Sequence, residues 1–294
     1  MSKIGLIDID GHNFPNLSLM KISAYHKAIG DTVEWVELGN HDRTYMAKVF
    51  SFSDDYQPAF ANLGEVIKGG TGYDLKNKLP KEIEPQFPDY SIYPQYDYAV
   101  GFLTRGCPRA CKFCIVAEKE GKTSHKVNNL KDFWNGQKKI KLLDPNILAC
   151  KDKIELLQQL IDSNVKIDFS QGLDVRLMTD EIAKLIMKLK LEMIHFAWDN
   201  YEFKTYEKLK EFRSQLNYNE RKLRVYVLVN FNTTFEQDLE RVYKLKELKY
   251  HPYVMIYNKS KAPKKVKQLA RWCNNSYIWF SGTCETFEDY LAFN

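Results

Sequence analysis

The stretch RGCPRACKFC, residues 105–114, sets Cys107, Cys111 and Cys114 close together, with Phe113 directly before the last thiol. Grouped thiolates are ligands for soft metals or reactive redox centres. A structural zinc site closes its tetrahedron with four protein ligands. The nearest candidates for a fourth are His125 and Cys150, neither at a customary finger spacing, and no further Cys-x2-Cys pair occurs in the chain. A cubane iron–sulfur cluster suits three thiolates, because its fourth iron is left open to a substrate or cofactor. The remaining cysteines, Cys150, Cys273 and Cys284, are scattered and read as buried thiols rather than a second cluster.

A second polar set follows short apolar runs. KLLDPN reaches Asp144, IDFSQG reaches Ser170 and Gln171, IHFAWDN reaches Asp199 and Asn200, VYVLVN reaches Asn230, and YVMIYN reaches Asn258. Each alone is an ordinary turn or helix-cap residue. Together they would line one mouth if the runs are parallel strands, whose carboxyl ends carry function in barrel folds. Arg176, in QGLDVRL, has the fork geometry to neutralise a carboxylate.

These side chains need a scaffold. From residue 96 onward, β-branched and aromatic runs alternate with amphipathic helical segments, the pattern of a parallel sheet with crossover helices. Strands are expected at 97–103, 139–143, 166–170, 192–197, 223–229 and 252–257. Ile182, Leu185, Ile186 and Leu189 form one helical stripe; Phe235, Leu239 and Val242 repeat it behind a capping-box pattern from Thr234 to Gln237. About six such units are too few for a complete eight-stranded barrel, so a partial (β/α)6 TIM-type barrel with a short C-terminal extension is expected over 96–294. Residues 1–79 read as a small, degenerate Rossmann-like α/β domain: strand KIGLIDID, a helix over 17–29, then strands TVEWVEL, KVFSFS and EVIKGG. Pro80, Pro85, Pro88 and Pro94 mark 80–95 as an extended linker.

The 294 residues are 44% hydrophobic and 28% charged, which excludes the disordered and fibrous classes. No run of 18 apolar residues occurs and the start MSKIGLIDID lacks the regions of a signal peptide, so a cytoplasmic protein without membrane association is expected. A disulfide framework is not expected in that reducing compartment. The net charge of +5 is uneven: 119–141 carries seven lysines against Glu120 and Asp132, and 261–271 carries Lys261, Lys264, Lys265, Lys267 and Arg271 with no acid. Runs of this kind are either solvated faces or surfaces for phosphate-bearing partners.

The Cys-x3-Cys-x2-Cys spacing, the aromatic Phe113 and the position after a first barrel strand resemble the radical S-adenosylmethionine (SAM) superfamily, over roughly residues 93–258. FLTRGCPRACKFC is most similar to its methylthiotransferase and cobalamin-associated branches. The resemblance implies a [4Fe-4S] cluster on Cys107, Cys111 and Cys114, SAM chelated at the open iron, reductive cleavage to a 5′-deoxyadenosyl radical, and a small electron donor such as flavodoxin or ferredoxin. It implies cofactor-binding roles for Phe113, Asp144, Ser170, Gln171, Arg176, Asp199 and Asn230, with Asp144 accepting from the ammonium and Arg176 meeting the carboxylate. This chain lacks the Gly-Gly-Glu run that many members have near Asp144. In the front domain, DGHNFPNLSLMKISAYHKAIGDTVEWV resembles the first loop, helix and second strand of a cobalamin-binding domain, with His12 where a lower cobalt ligand would sit. Pro15 replaces the signature glycine, and about a dozen residues separate KVFSFS from EVIKGG, short for a crossover helix, so a domain without cobalamin is expected.

Three functions follow. The first is a radical SAM enzyme modifying a nucleic acid or nucleotide, by methylation or methylthiolation; the second is a radical SAM enzyme acting on a peptide or small metabolite. The third is a metal- or cluster-stabilised binding protein without turnover.

Overall fold

A computed structural model of the protein describes residues 1–11, 14–56 and 58–293. The chain divides into two compact units: Met1–Gly101 with Gly106–Lys122 and Asn128–Lys138, and Phe102–Arg105 with Thr123–Val127 and Lys139–Asn294. This division differs from expected boundaries at 80 and 96. Segment 80–95 falls in the first unit, and the expected strand 97–103 is divided, its Ala99–Gly101 strand counted with the first unit and Phe102 and Leu103 with the second.

In the first unit, strands β1 (Lys3–Asp8), β2 (Thr32–Trp35), β3 (Arg43–Ala47) and β4 (Glu65–Gly69) form a parallel sheet in the order β2-β1-β3-β4. Helix α1 (Leu17–Ala28) begins where the Asn16 side chain accepts from the amides of Ser18 and Leu19. Ile4, Leu6, Leu19, Ile22, Tyr45 and Ala47 share one core cluster, while Ile7, Val36 and Met46 share another, as strand periodicity requires. The expected strand KVFSFS is displaced: the strand ends at Ala47, and the amides of Val49 and Phe50 bond instead to the Asp10 carboxylate at 2.9 and 2.8 Å. A side-chain acceptor has taken the donors that a longer strand would have used. No helix lies between β3 and β4 among the described residues.

Segment 80–95 is a strap rather than a loose linker. Ile83 is buried in the α1-side core, Trp35 Nε1 donates to the Ile92 carbonyl at 3.0 Å, and Asp89 accepts from Ser23 and Lys27. Its backbone is turned rather than extended as expected, with the Ile83 and Glu84 amides bonded to the Pro80 carbonyl and a 3-10 turn over Tyr90–Ile92, and side chains tie it down.

In the second unit, β5 (Lys139–Leu142), β6 (Lys166–Leu173), β7 (Lys190–Ala197), β8 (Leu223–Val229) and β9 (His251–Ile256) lie in sequence order and are all parallel. Helices α2 (Lys153–Ser163), α3 (Asp180–Met187), α4 (Phe203–Arg213) and α5 (Phe235–Glu247) connect successive strands, and α6 (Lys264–Asn274) follows the last. Of the expected stripes, Ile182, Ile186, Leu189 and Val242 are buried, while Leu185, Phe235 and Leu239 are half-buried; Leu156, Leu157, Leu160, Leu209, Phe212 and Leu245 are buried on their helices as well. The capping box joins Thr234 and Gln237. Sequential order is that of a singly wound barrel wall, and among the described residues no pairing closes it, so the architecture shown is a mixed α/β fold with parallel sheets. No helix among the described residues is long and apolar enough to cross a membrane.

One buried pair ties the carboxyl ends of β7 and β8. Arg241, fully buried, donates to the carbonyls of Trp198 and Leu228 and to Asp238 Oδ1, the last at 2.6 Å. Removing one member of a buried pair strands the other. Arg241→Ala is expected to lower unfolding free energy by about 3–5 kcal/mol in urea titrations; a loss near zero would show that the carbonyls find other donors.

Candidate functional site

Thr104–Arg105 pairs antiparallel with His125–Lys126, closing the base of the loop that carries the three cysteines. This stem is anchored to the segment after β5. Asp144, 4% exposed, accepts from the Leu103 amide at 3.2 Å on one oxygen, and from the Thr104 amide and hydroxyl at 2.5 and 2.6 Å on the other. Ser124 Oγ donates to the Asn146 carbonyl at 2.9 Å, and Lys126 pairs with Glu155. Both sides of the stem are therefore held.

Within the loop, Gly106 and Ala110 adopt left-handed φ of 82° and 46°. For Ala110 that conformation is strained, so the surrounding bonds must hold it. The Cys107 amide bonds to the Gly121 carbonyl, the Cys114 amide to the Cys111 carbonyl, and the Gly106 amide to Glu120. Cys107, Cys111 and Phe113 are half-buried and Cys114 is exposed.

None of the six cysteines forms a disulfide. The loop offers three thiols and, over 106–115, no carboxylate or imidazole, a donor set suited to a thiolate-bound iron–sulfur centre rather than to Mg or Ca. Among the described residues, no group of three or more His, Cys, Asp or Glu side chains is placed to hold a metal ion. The donor types fit a cluster. Cys150, Cys273 and Cys284 are buried, and burial pushes the Cys273 thiol well up.

The strand-end residues have distinct surroundings. Between Phe169 and Leu173 the pairing of β6 with β7 slips register, and Gly172 there has φ of 95°, so a β-bulge sets Ser170 and Gln171. Ser170 Oγ donates to the Leu142 carbonyl at 2.7 Å, and Gln171 is exposed. Arg176 Nε donates to Asp174 at 2.8 Å, with Glu202 at 3.9 Å. Asp199 is pushed up to about 6 by burial, against the pull of Arg241 and Arg176. Asn230, at φ of 62°, donates through Nδ2 to the Tyr257 carbonyl at 2.9 Å.

Asp144, expected as an ammonium acceptor, holds three donors of the stem on its two oxygens, which makes it a positioning residue for the cysteine loop as well. His12 lies outside the described residues, and the expectation of a front domain without cobalamin finds no support in the structure.

A neighbouring cluster was not anticipated. His195 Nδ1 lies 3.0 Å from the Phe169 carbonyl, and its ring stacks on Tyr226 at 4.8 Å and 8°. Tyr226 Oη donates to the Ser170 carbonyl at 2.7 Å. Burial pushes Asp168 up to about 6, and burial, with Arg224 secondary, lowers His195 to about 4. A carbonyl only accepts, so the neutral imidazole carries its proton on Nδ1 and presents Nε2 as an acceptor. The legible signal was period two: Asp168 shares a strand face with Ser170, and Tyr226 one with Arg224.

No family model matches the chain, and no curated protein matches it in sequence. Among solved structures, it is similar to a radical S-adenosylmethionine methyltransferase, TsrM, from Kitasatospora setae, determined with tryptophan substrate and a SAM analogue bound. The TM-score is 0.62 at 10% identity, covering 87% of this chain and 73% of that one. At this identity the likeness is one of fold.

Asp144→Ala would leave the buried Leu103 and Thr104 donors unpaired, at about 1–3 kcal/mol each. The variant is expected to unfold at lower urea concentration and to take up less iron on reconstitution. The pH dependence has a definite sign. Burial pushes the Asp144 carboxyl from 3.8 up to about 6, so the native state binds the proton more tightly and stability falls as pH rises through that window. Asp144→Asn should flatten this fall between pH 4 and 6; an unchanged slope would assign it to Asp168 and Asp199, which are raised likewise.

Proposed function

We propose that the protein is a radical SAM enzyme that reductively cleaves SAM to a 5′-deoxyadenosyl radical and modifies a nucleic acid or nucleotide. The observation that carries this reading is the three-cysteine loop, whose stem is pinned by Asp144; the parallel sheet of the second unit carries Ser170, Gln171, Arg176, Asp199 and Asn230 at its carboxyl ends. Fold similarity to a SAM methyltransferase supports it.

In this reading Cys107, Cys111 and Cys114 hold a [4Fe-4S] cluster, and Phe113 shields one side of it. When bound, the cluster and SAM supply one-electron cleavage of the sulfonium to methionine and a 5′-deoxyadenosyl radical, the electron coming from a flavodoxin- or ferredoxin-type donor. Arg176, oriented by Asp174, meets the methionine carboxylate. Asp199, Gln171 and Ser170 supply acceptors for the ammonium and the ribose hydroxyls, and Asn230 supplies a turn held by Tyr257. His195 accepts a hydrogen bond from substrate through Nε2.

A second reading, a small-metabolite substrate, is favoured by the tryptophan in the TsrM structure. One experiment addresses both. Anaerobically reconstituted protein is expected to hold about four irons and sulfides per chain and, with dithionite and SAM, to release 5′-deoxyadenosine. Cys107→Ala/Cys111→Ala/Cys114→Ala should lose iron and product while staying folded. One zinc per chain without 5′-deoxyadenosine would establish the non-catalytic binding protein instead. Mass spectrometry of RNA, DNA, peptide and metabolite pools then identifies which gains mass.

A further inference from the structure

The two basic runs have different fates in the fold. Residues 119–141 are divided between the two units, and Lys126 and Lys139 are ion-paired with Glu155 and Glu192. The second run stays together at the carboxyl end of β9. After Ile256 the chain turns at Asn258, which is left-handed at φ of 49°, into the short 3-10 helix Lys259–Lys261 and then α6. Lys264, Lys267 and Arg271 fall at i, i+3 and i+7, on one face of that helix. Val266, Leu269 and Trp272 are buried on the other.

Lys259, Lys261, Lys264, Lys267 and Arg271 are all exposed, and none is ion-paired among the described residues. The first turn of α6 carries no acid, so the helix dipole adds to the positive field rather than offsetting it. A solvated face would usually interleave both signs. Beside these cations, at the same strand end, Tyr257 is 43% and Met255 46% exposed. Phe231 packs edge-to-face on Tyr257 at 4.8 Å, fixing its ring, and Asn230 holds its carbonyl.

Cations in a row with a braced, exposed aromatic beside them are the parts of a single-strand nucleic-acid surface, one binding phosphates and the other a base. An acidic peptide would use the lysines and leave the ring without a role. A duplex would keep its bases stacked and out of reach.

We propose that the turn Asn258–Lys261 and the outer face of α6 bind the phosphodiester backbone of a single-stranded nucleic acid, with Tyr257 stacking on a base at the carboxyl ends of the strands. As a substrate surface, this rests on the enzyme proposed above; RNA and DNA share the chemistry and are separated by the test.

Fluorescence anisotropy of the full-length protein with labelled RNA and DNA strands about 20 nucleotides long, a duplex of the same sequence and a polyglutamate peptide reads the surface directly. Single strands should bind, with affinity falling steeply between about 50 and 200 mM salt. Replacing Lys261, Lys264, Lys267 and Arg271 together by Gln should reduce the log–log salt slope by up to about 3, at roughly 0.7 per phosphate contact, with an unchanged melting curve. Tyr257→Ala should weaken binding about tenfold with the slope unaltered. No binding at low salt, a slope unaffected by the four substitutions, or equal binding of duplex or polyglutamate would overturn the proposal. Release of 5′-deoxyadenosine by the same preparation is scored separately: cleavage without strand binding overturns this inference alone, and strand binding without cleavage overturns the enzyme reading while leaving the surface established.

Discussion

The Asp144 carboxylate holds the stem on which the proposed chemistry depends. A loop rich in thiols, with a left-handed alanine in it, has little reason to keep one conformation unless its base is fixed. Three donors converge on Asp144 from two consecutive residues of the stem. Opposite them, Ser124 and Lys126 are bound to groups that follow β5. The carboxylate is almost wholly out of water, where such bonds are strong and a missing partner is costly. A residue that looks from its sequence position like a ligand for a cofactor also orients the loop.

The same economy of buried charge recurs along the sheet. Asp168 and Asp199 are raised by burial, and Arg241 reaches two strand-end carbonyls as well as Asp238. Parallel strands leave carbonyls and turns at one edge that the ladder does not satisfy, so the edge recruits charged and polar side chains whether or not it binds a ligand. What distinguishes a binding role is reach. Gln171 is exposed and, among the described residues, His195 Nε2 makes no hydrogen bond, whereas Asp144 and Arg241 are buried in bonds to the protein and Arg176 lies between Asp174 and Glu202.

In the first unit, the connection from β3 to β4 has no helix among the described residues, and Asp10 takes the amides with which the strand would have continued. The proline-rich strap fills part of the place that further helices would occupy in a larger α/β domain, burying Ile83 against α1 and anchoring through Asp89 and Ile92. A proline-rich segment can be packed, because proline restricts the backbone without preventing side-chain contacts.

Much of the fold was legible in the chain itself. Strands β5 to β9 fall where β-branched and aromatic runs predict, and the Thr234–Gln237 capping box and the stripe from Ile182 to Ile186 are local patterns that tertiary structure had no reason to override. The cysteine spacing, too, is a property of the sequence alone. Strand order, the division of the expected 97–103 strand, the packing of the strap and the occupation of Asp144 were decided only in three dimensions. Each depends on which distant donor or apolar face reaches a given group: Leu103 and Thr104 lie about forty residues from Asp144, and Ile92 lies 57 from Trp35. Periodicity reports which side of an element is apolar, whereas the partner of a buried polar atom is chosen by the close packing that excludes water from it.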